Sequence, residues 1–158
     1  MKAELVNLLV SLIIAVVYMI GAIKVIKPFF SKISSPMTTA TGVLFLGVVF
    51  GFGIILNDFS EIASSAFYYN YQKSELGMGI YYWILFTAIS FAFSYAVFHL
   101  SFKLIDLVTT ENEKTELAKN NFSIAGLHVV VFISICLVVS KPLIAWANGL
   151  VNFPVFPD

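Results

Sequence analysis

The chain has 158 residues, of which 59% are hydrophobic and only 11% charged, with a mean hydropathy of +0.93 and a formal net charge of zero. A soluble domain of this length is near half apolar and a quarter charged, so this chain has too little polar surface to coat a globule and the bilayer is its natural solvent. The charge balance excludes a nucleic-acid or polyanion binder, and every basic residue is a lysine, which removes the forked recognition that arginine gives to phosphate and carboxylate.

In chain order, Leu5–Ile26 is the first apolar stretch. It is longer than a signal-peptide core and is followed by no cleavage pattern and polar domain, so it reads as a retained membrane helix. Thr38–Asn57 is the second span, Gly79–Leu100 the third and Phe122–Ser140 the fourth. Each approaches the roughly 20 apolar residues that a spanning helix needs, and helices satisfy their own backbone in lipid. Pro142 is expected to bend or end the fourth helix, which can run on to Trp146 at the interface. The single domain, residues 1–158, thus divides into a first helical pair over 5–57, an outer loop over 58–78 and a second pair over 79–146.

Lysine placement sets the expected orientation. Lys24, Lys27 and Lys32 follow span one, and Lys103, Lys114 and Lys119 follow span three; Lys2, Lys73 and Lys141 lie at the other ends. The positive-inside rule places the first and third loops in the cytoplasm and both termini outside. The outer loop carries Tyr68, Tyr69 and Tyr71, which suits an interfacial aromatic belt. Thr110-Glu111-Asn112-Glu113 has the form of a capping box. A short cytoplasmic helix therefore precedes the fourth span, with Glu111, Glu113 and Glu116 at its positive end and Lys119 later, as the macrodipole favours.

The two halves are alike. "FSKISSP" (Phe30–Pro36) aligns with "IDLVTTE" (Ile105–Glu111), and "ATGVLFLGVVFGFGIIL" (Ala40–Leu56) aligns with "FSIAGLHVVVFISICLV" (Phe122–Val138). An even number of helices per unit makes such copies parallel. On Ser34-Ser35-Pro36 with Thr39-Ala40-Thr41-Gly42, on Asp106 with Thr109-Thr110 and Asn120-Asn121-Phe122-Ser123-Ile124-Ala125, and on Gly51-Phe52-Gly53, the chain resembles the YjfL-like family of bacterial inner-membrane proteins, the domain of unknown function 350. It departs from that pattern in its short first turn and in Ile54-Ile55, where proline is common. The resemblance implies duplicated two-helix units in an inner membrane and association with envelope-stress machinery; it implies no biochemical activity.

Polar groups inside spans are costly and are the candidate functional residues. His99 and His128 are the two histidines. His99 lies about 6 Å before Lys103 and His128 about 10 Å after Asn121 along their helices. Ala88, Ala92, Ala96 and His99 share one stripe of span three, and Asn121, Ala125, His128 and Phe132 share one of span four. Small residues there let helices approach closely. A hydrogen bond between helices is the simplest role for each imidazole; a His99/His128 pair binding metal or haem, or relaying protons, is the sharper alternative. Gly47 and Gly51 form a G-x-x-x-G packing motif. Asn57, Asp58 and Glu61 are expected to close span two in solvent, and Asn120 and Asn121 to cap the start of span four. Cys136 reads as a packing residue. No nucleophile–base order, metal-protease, P-loop or dinucleotide motif is present, so neither an enzyme nor a bound cofactor is expected.

The expectation is an all-α, four-span membrane protein that associates with lipid and with copies of itself or other membrane subunits. Its function is expected to be that of a scaffold or partner subunit. A homo-oligomeric channel or transporter component, with His99, His128, Asn121 and Asn57 along a polar path, is the alternative.

Overall fold

The computed structural model describes residues 2–109 and 112–150. Among these residues all regular structure is helical: α1 (Lys2–Ile33), α2 (Thr39–Gln72), α3 (Leu76–Val108), α4 (Glu113–Ala118) and α5 (Phe122–Leu150). Four of these, all but α4, are long and apolar enough to cross a membrane. At 1.5 Å per residue the four run to about 44–51 Å, well past a hydrocarbon core of about 30 Å.

The helices exceed the expected spans, most of all at the end of α2. Residues 58–78, expected as a loop, are almost wholly helical: α2 runs on to Gln72 and α3 starts at Leu76. The physical reason is periodicity. Phe59, Ile62, Ala63, Ala66 and Phe67 recur at helical spacing and are all buried. The polar residues between them mark a helix with one wet face, not a break. The turn that remains is Lys73-Ser74-Glu75, where Ser74 takes φ 64° and the amides of Lys73 and Glu75 close on the Asn70 carbonyl. Asn70 is itself buried, and its side-chain amide donates to the Ala66 carbonyl at 2.7 Å. Pro142 also does not end its helix, which continues to Leu150.

Helix starts follow from short polar side chains. Thr38 caps α2, its hydroxyl accepting from the Thr41 amide. Asn121 caps α5, its carbonyl oxygen accepting from the amides of Ser123 at 3.0 Å and Ile124 at 3.4 Å. The α4 cap is Asn112, whose side chain accepts from the Thr115 amide. The expected capping box placed the start two residues earlier; Thr110 and Glu111 lie outside the described residues.

α2 is the central helix and packs on α1, α3 and α5. The core is largely aromatic: Phe30, Phe52, Phe59, Phe67, Trp83, Phe86, Phe98 and Phe132 are fully or almost fully buried. Aliphatic side chains of α1 and α5 such as Leu8, Ile13, Val17, Val130 and Val138 are exposed on the outside. Exposed aliphatic faces on four helices of this length are compatible with a multi-pass membrane protein.

Candidate functional site

The site lies where the end of α3, the short α4 and the first two turns of α5 meet. His128 projects inward from α5 and Glu113 from the first turn of α4; the residues are 1% and 3% exposed. His128 Nε2 and Glu113 Oε2 are 2.8 Å apart. The contact lies off the hydrogen-bonding axis, so neither atom, nor His128 Nδ1, completes a hydrogen bond within the protein. Leaving one such buried group unsatisfied costs about 1–3 kcal/mol. The Phe102 ring of α3 lies against the imidazole, with centroids 4.4 Å apart.

The rest of the shell comes from the last turn of α3. Thr109 Oγ1 donates to Glu113 Oε1 at 2.6 Å. Asp106, one turn earlier, is exposed, and its charge acts on the Glu113 carboxyl. Burial pushes the Glu113 carboxyl above the usual carboxylate range, Thr109 opposes this, and Asp106 adds to it. Glu116 sits on the wet side of the same helix, and its carboxyl is held low by Lys119 at 2.9 Å and by Asn121 at 3.0 Å. Two glutamates three residues apart thus occupy opposite environments.

α4 also closes the start of α2. The Leu117 carbonyl accepts from Thr38 Oγ1 at 3.0 Å and Thr41 Oγ1 at 3.4 Å. Asn120, at φ 66°, turns its side-chain oxygen to the Ala40 amide at 2.8 Å. Asn120 was expected to serve span four; it caps α2 instead, and Asn121 alone caps α5.

The other sequence candidates are distributed as follows. Asn121, Ala125, His128 and Phe132 do lie on one inward stripe of α5, with Asn121 half-buried and Ala125 fully buried. Gly47 and Gly51 face α5: a Cβ on Gly47 would overlap the Val129 side chain, and one on Gly51 the Phe132 ring. Ala88, Ala92, Ala96 and His99 are exposed, so this stripe is not the packing face of α3 within the protomer. The inward face is Trp83, Phe86, Ser90, Ser94, Val97, Phe98, Ser101 and Ile105, where serines supply the small residues. His99 has its own neighbours, the rings of Tyr95, Phe98 and Phe29. Asn57 is exposed within α2 and borders a cleft of about 440 Å³ between α1 and α2. Among the described residues, no three His, Cys, Asp or Glu side chains gather as a metal-ligand set.

Two further polar contacts lie deep in the bundle and were not anticipated. The Tyr18 hydroxyl donates to the Phe52 carbonyl at 3.1 Å and lies 2.9 Å from the Ser94 hydroxyl. Trp83 Nε1 donates to Asn7 Oδ1 at 3.0 Å. They join residues 34 to 76 positions apart, and no local motif encodes them. Glu113 was visible in the sequence but read as a solvated charge. Comparison of the chain with protein-family models, curated proteins and solved structures returned no match.

Proposed function

We propose that this chain is a small multi-pass subunit, a scaffold or partner, of a bacterial inner-membrane assembly. One observation carries the reading. Ala88, Ala92 and Ala96 form a small-residue stripe on α3 that is exposed in the protomer. Such stripes let a second helix approach closely in lipid, where packing rather than water drives association. The stripe borders an open apolar groove of about 390 Å³ between α1 and α3, lined by Val17, Gly21, Ile84 and Ala88 among others. The conducting alternative has less support, because His128 is turned into the protomer and covered by Phe102 and Glu113.

In the proposed orientation the lysine-bearing turns face the cytoplasm and both termini the outside. The YjfL-like resemblance and its link to envelope stress belong to the same proposal, as does a duplicated hairpin, α1–α2 and α3–α5. The side-chain caps that open both second helices, Thr38 and Asn121, support the duplication.

The test is the mass of the particle in nanodiscs. The expected wild-type particle contains more than one chain, and Ala88→Ile with Ala92→Ile releases single protomers that keep their helical content, since both positions are exposed. A wild-type particle holding one chain and no partner refutes the reading. Labelling of Lys27→Cys and Lys32→Cys from the outside of intact cells would refute the orientation.

A further inference from the structure

We propose that Glu113 and His128 form a binding site for one exchangeable proton, loaded from solvent through Asp106, whose occupancy holds α4 against the bundle. The site lies within one protomer and does not depend on assembly.

The geometry points to a proton rather than to a static ion pair. Both side chains are more than nine-tenths buried, yet their 2.8 Å contact completes no hydrogen bond, and His128 Nδ1 has no partner. A buried ion pair offsets its desolvation only with well-aligned, fully satisfied geometry, which this pair lacks. The arrangement suits a neutral carboxylic acid facing a neutral imidazole. The Asp106 carboxyl supplies a second argument: its charge further disfavours ionisation of the buried Glu113 carboxyl. Asp106 is exposed and so connects the buried acid to water.

Charged groups around the pair are few. α3 contributes Asp106 and Lys103, both exposed, and at its end the Thr109 hydroxyl that donates to Glu113. α2 meets α4 with the hydroxyls of Thr38 and Thr41. α1 carries Lys24, Lys27 and Lys32, all exposed, and α5 carries Lys141 at its far end. On α4 itself Glu116 and Lys119 pair on the outer side, and Lys114 is exposed.

Unloading breaks the Glu113 O–H bond. The electron pair stays on the carboxylate, and the proton passes to the Asp106 carboxylate and then to water. The empty site holds a buried carboxylate beside the charge of Asp106, and that penalty is relieved when α4 moves into water. Because the docked Glu113 carboxyl titrates above its ordinary range, docking is fully favoured below the ordinary carboxylate value and is lost as pH rises through the raised one.

The test is a pair of spin labels, at Lys114→Cys on α4 and Lys24→Cys on α1, in a Cys136→Ala background in nanodiscs. The expected result is one short distance at acid pH and a longer, broader population that grows as pH rises. Glu113→Gln, which mimics the loaded acid, keeps the short distance throughout. Asp106→Asn, which removes the neighbouring charge, lowers the midpoint, a shift that a purely structural role would not produce. A wild-type distance that ignores pH overturns the proposal, as does an unmoved midpoint in Asp106→Asn. Should Glu113→Gln fail to fold, infrared spectroscopy of the wild type decides: a protonated-carboxyl band that titrates away supports the site, and its absence at acid pH overturns it.

Discussion

Adding one methyl group at Gly51 gives the sharpest check on how α2 and α5 pack. A Cβ there would overlap the Phe132 ring, and the ring is pinned by its own burial and by Phe98, whose centroid lies 6.4 Å away. Overpacking of this kind costs about 1–3 kcal/mol. The same change gains about 1 kcal/mol of helix propensity, so Gly51→Ala should lose up to about 2 kcal/mol net. Two residues on, a Cβ at Gly53 would meet nothing within 4 Å. Gly53→Ala therefore keeps the propensity gain without the clash. The two variants share their chemistry, so their difference isolates the contact: about 1–3 kcal/mol, or roughly 5- to 150-fold in the folded-to-unfolded ratio. Unfolding by a graded denaturing detergent, followed by tryptophan emission, measures it. Adding Phe132→Leu to Gly51→Ala should recover much of the loss, because the two residues touch. Equal stability of Gly51→Ala and Gly53→Ala would refute the close approach of the helices.

Asn120→Ala removes the acceptor for the Ala40 amide and should cost about 1 kcal/mol, as loss of a helix cap does; faster amide exchange at the start of α2, with mid-helix exchange unchanged, is the signature. Tyr18→Phe deletes the hydroxyl that joins Phe52 and Ser94 and should cost about 1 kcal/mol by the same unfolding assay, in line with interhelical polar contacts in lipid. An unchanged stability would mean that the hydroxyl contributes nothing to the fold. The two glutamates of α4 should respond to pH with opposite sign. The Glu116 carboxyl is held low by Lys119 and Asn121, so its contribution is present above the ordinary carboxylate value and fades as pH falls through the lowered one. Glu116→Gln should therefore remove an acid-side loss of α4 protection, whereas Glu113→Gln should remove a loss on the alkaline side.

The number of long helices was legible because apolar runs of about 20 residues have few other uses. Their ends were not. In 58–78 the hydropathy falls, and a rule tuned to bilayer depth reads that fall as a loop. The buried row Phe59, Ile62, Ala63, Ala66 and Phe67 shows that the backbone stays helical once one face still has a core to cover. α3 does not reveal in the sequence which face packs within the protomer, for a related reason. It carries an alanine stripe and a serine stripe, and periodicity cannot say which one points inward. Ser94 and Ser101 return their hydroxyls to the Ser90 and Phe98 carbonyls of their own helix, so each behaves in the core as a small residue and costs little to bury. Glu113 was misplaced because a carboxylate in the first turn of a polar helix suits the macrodipole, and nothing local reveals that His128 lies behind it.

The placement of Glu113 has a consequence for how α4 is used. Six residues make too short a helix to stand alone in water, so α4 exists because its neighbours hold it. Leu117 anchors it in the core, the hydroxyls of Thr38 and Thr41 hold the Leu117 carbonyl, and Asn120 closes the start of α2. Each of these contacts would persist with alanine at position 113, and alanine would be the better helix former. Beyond the hydrogen bond from Thr109 and its place at the positive end of the helix, a buried carboxylate at that position adds little that the helix needs in order to form. It adds a group whose charge state decides whether the interior tolerates it, placed on the one element that joins the end of α3 to the starts of α2 and α5. Loss of that docking would reach the Ala40 amide of α2 through Asn120 and the cap of α5 through Asn121, so a titration at one buried carboxyl would be read at the ends of two long helices.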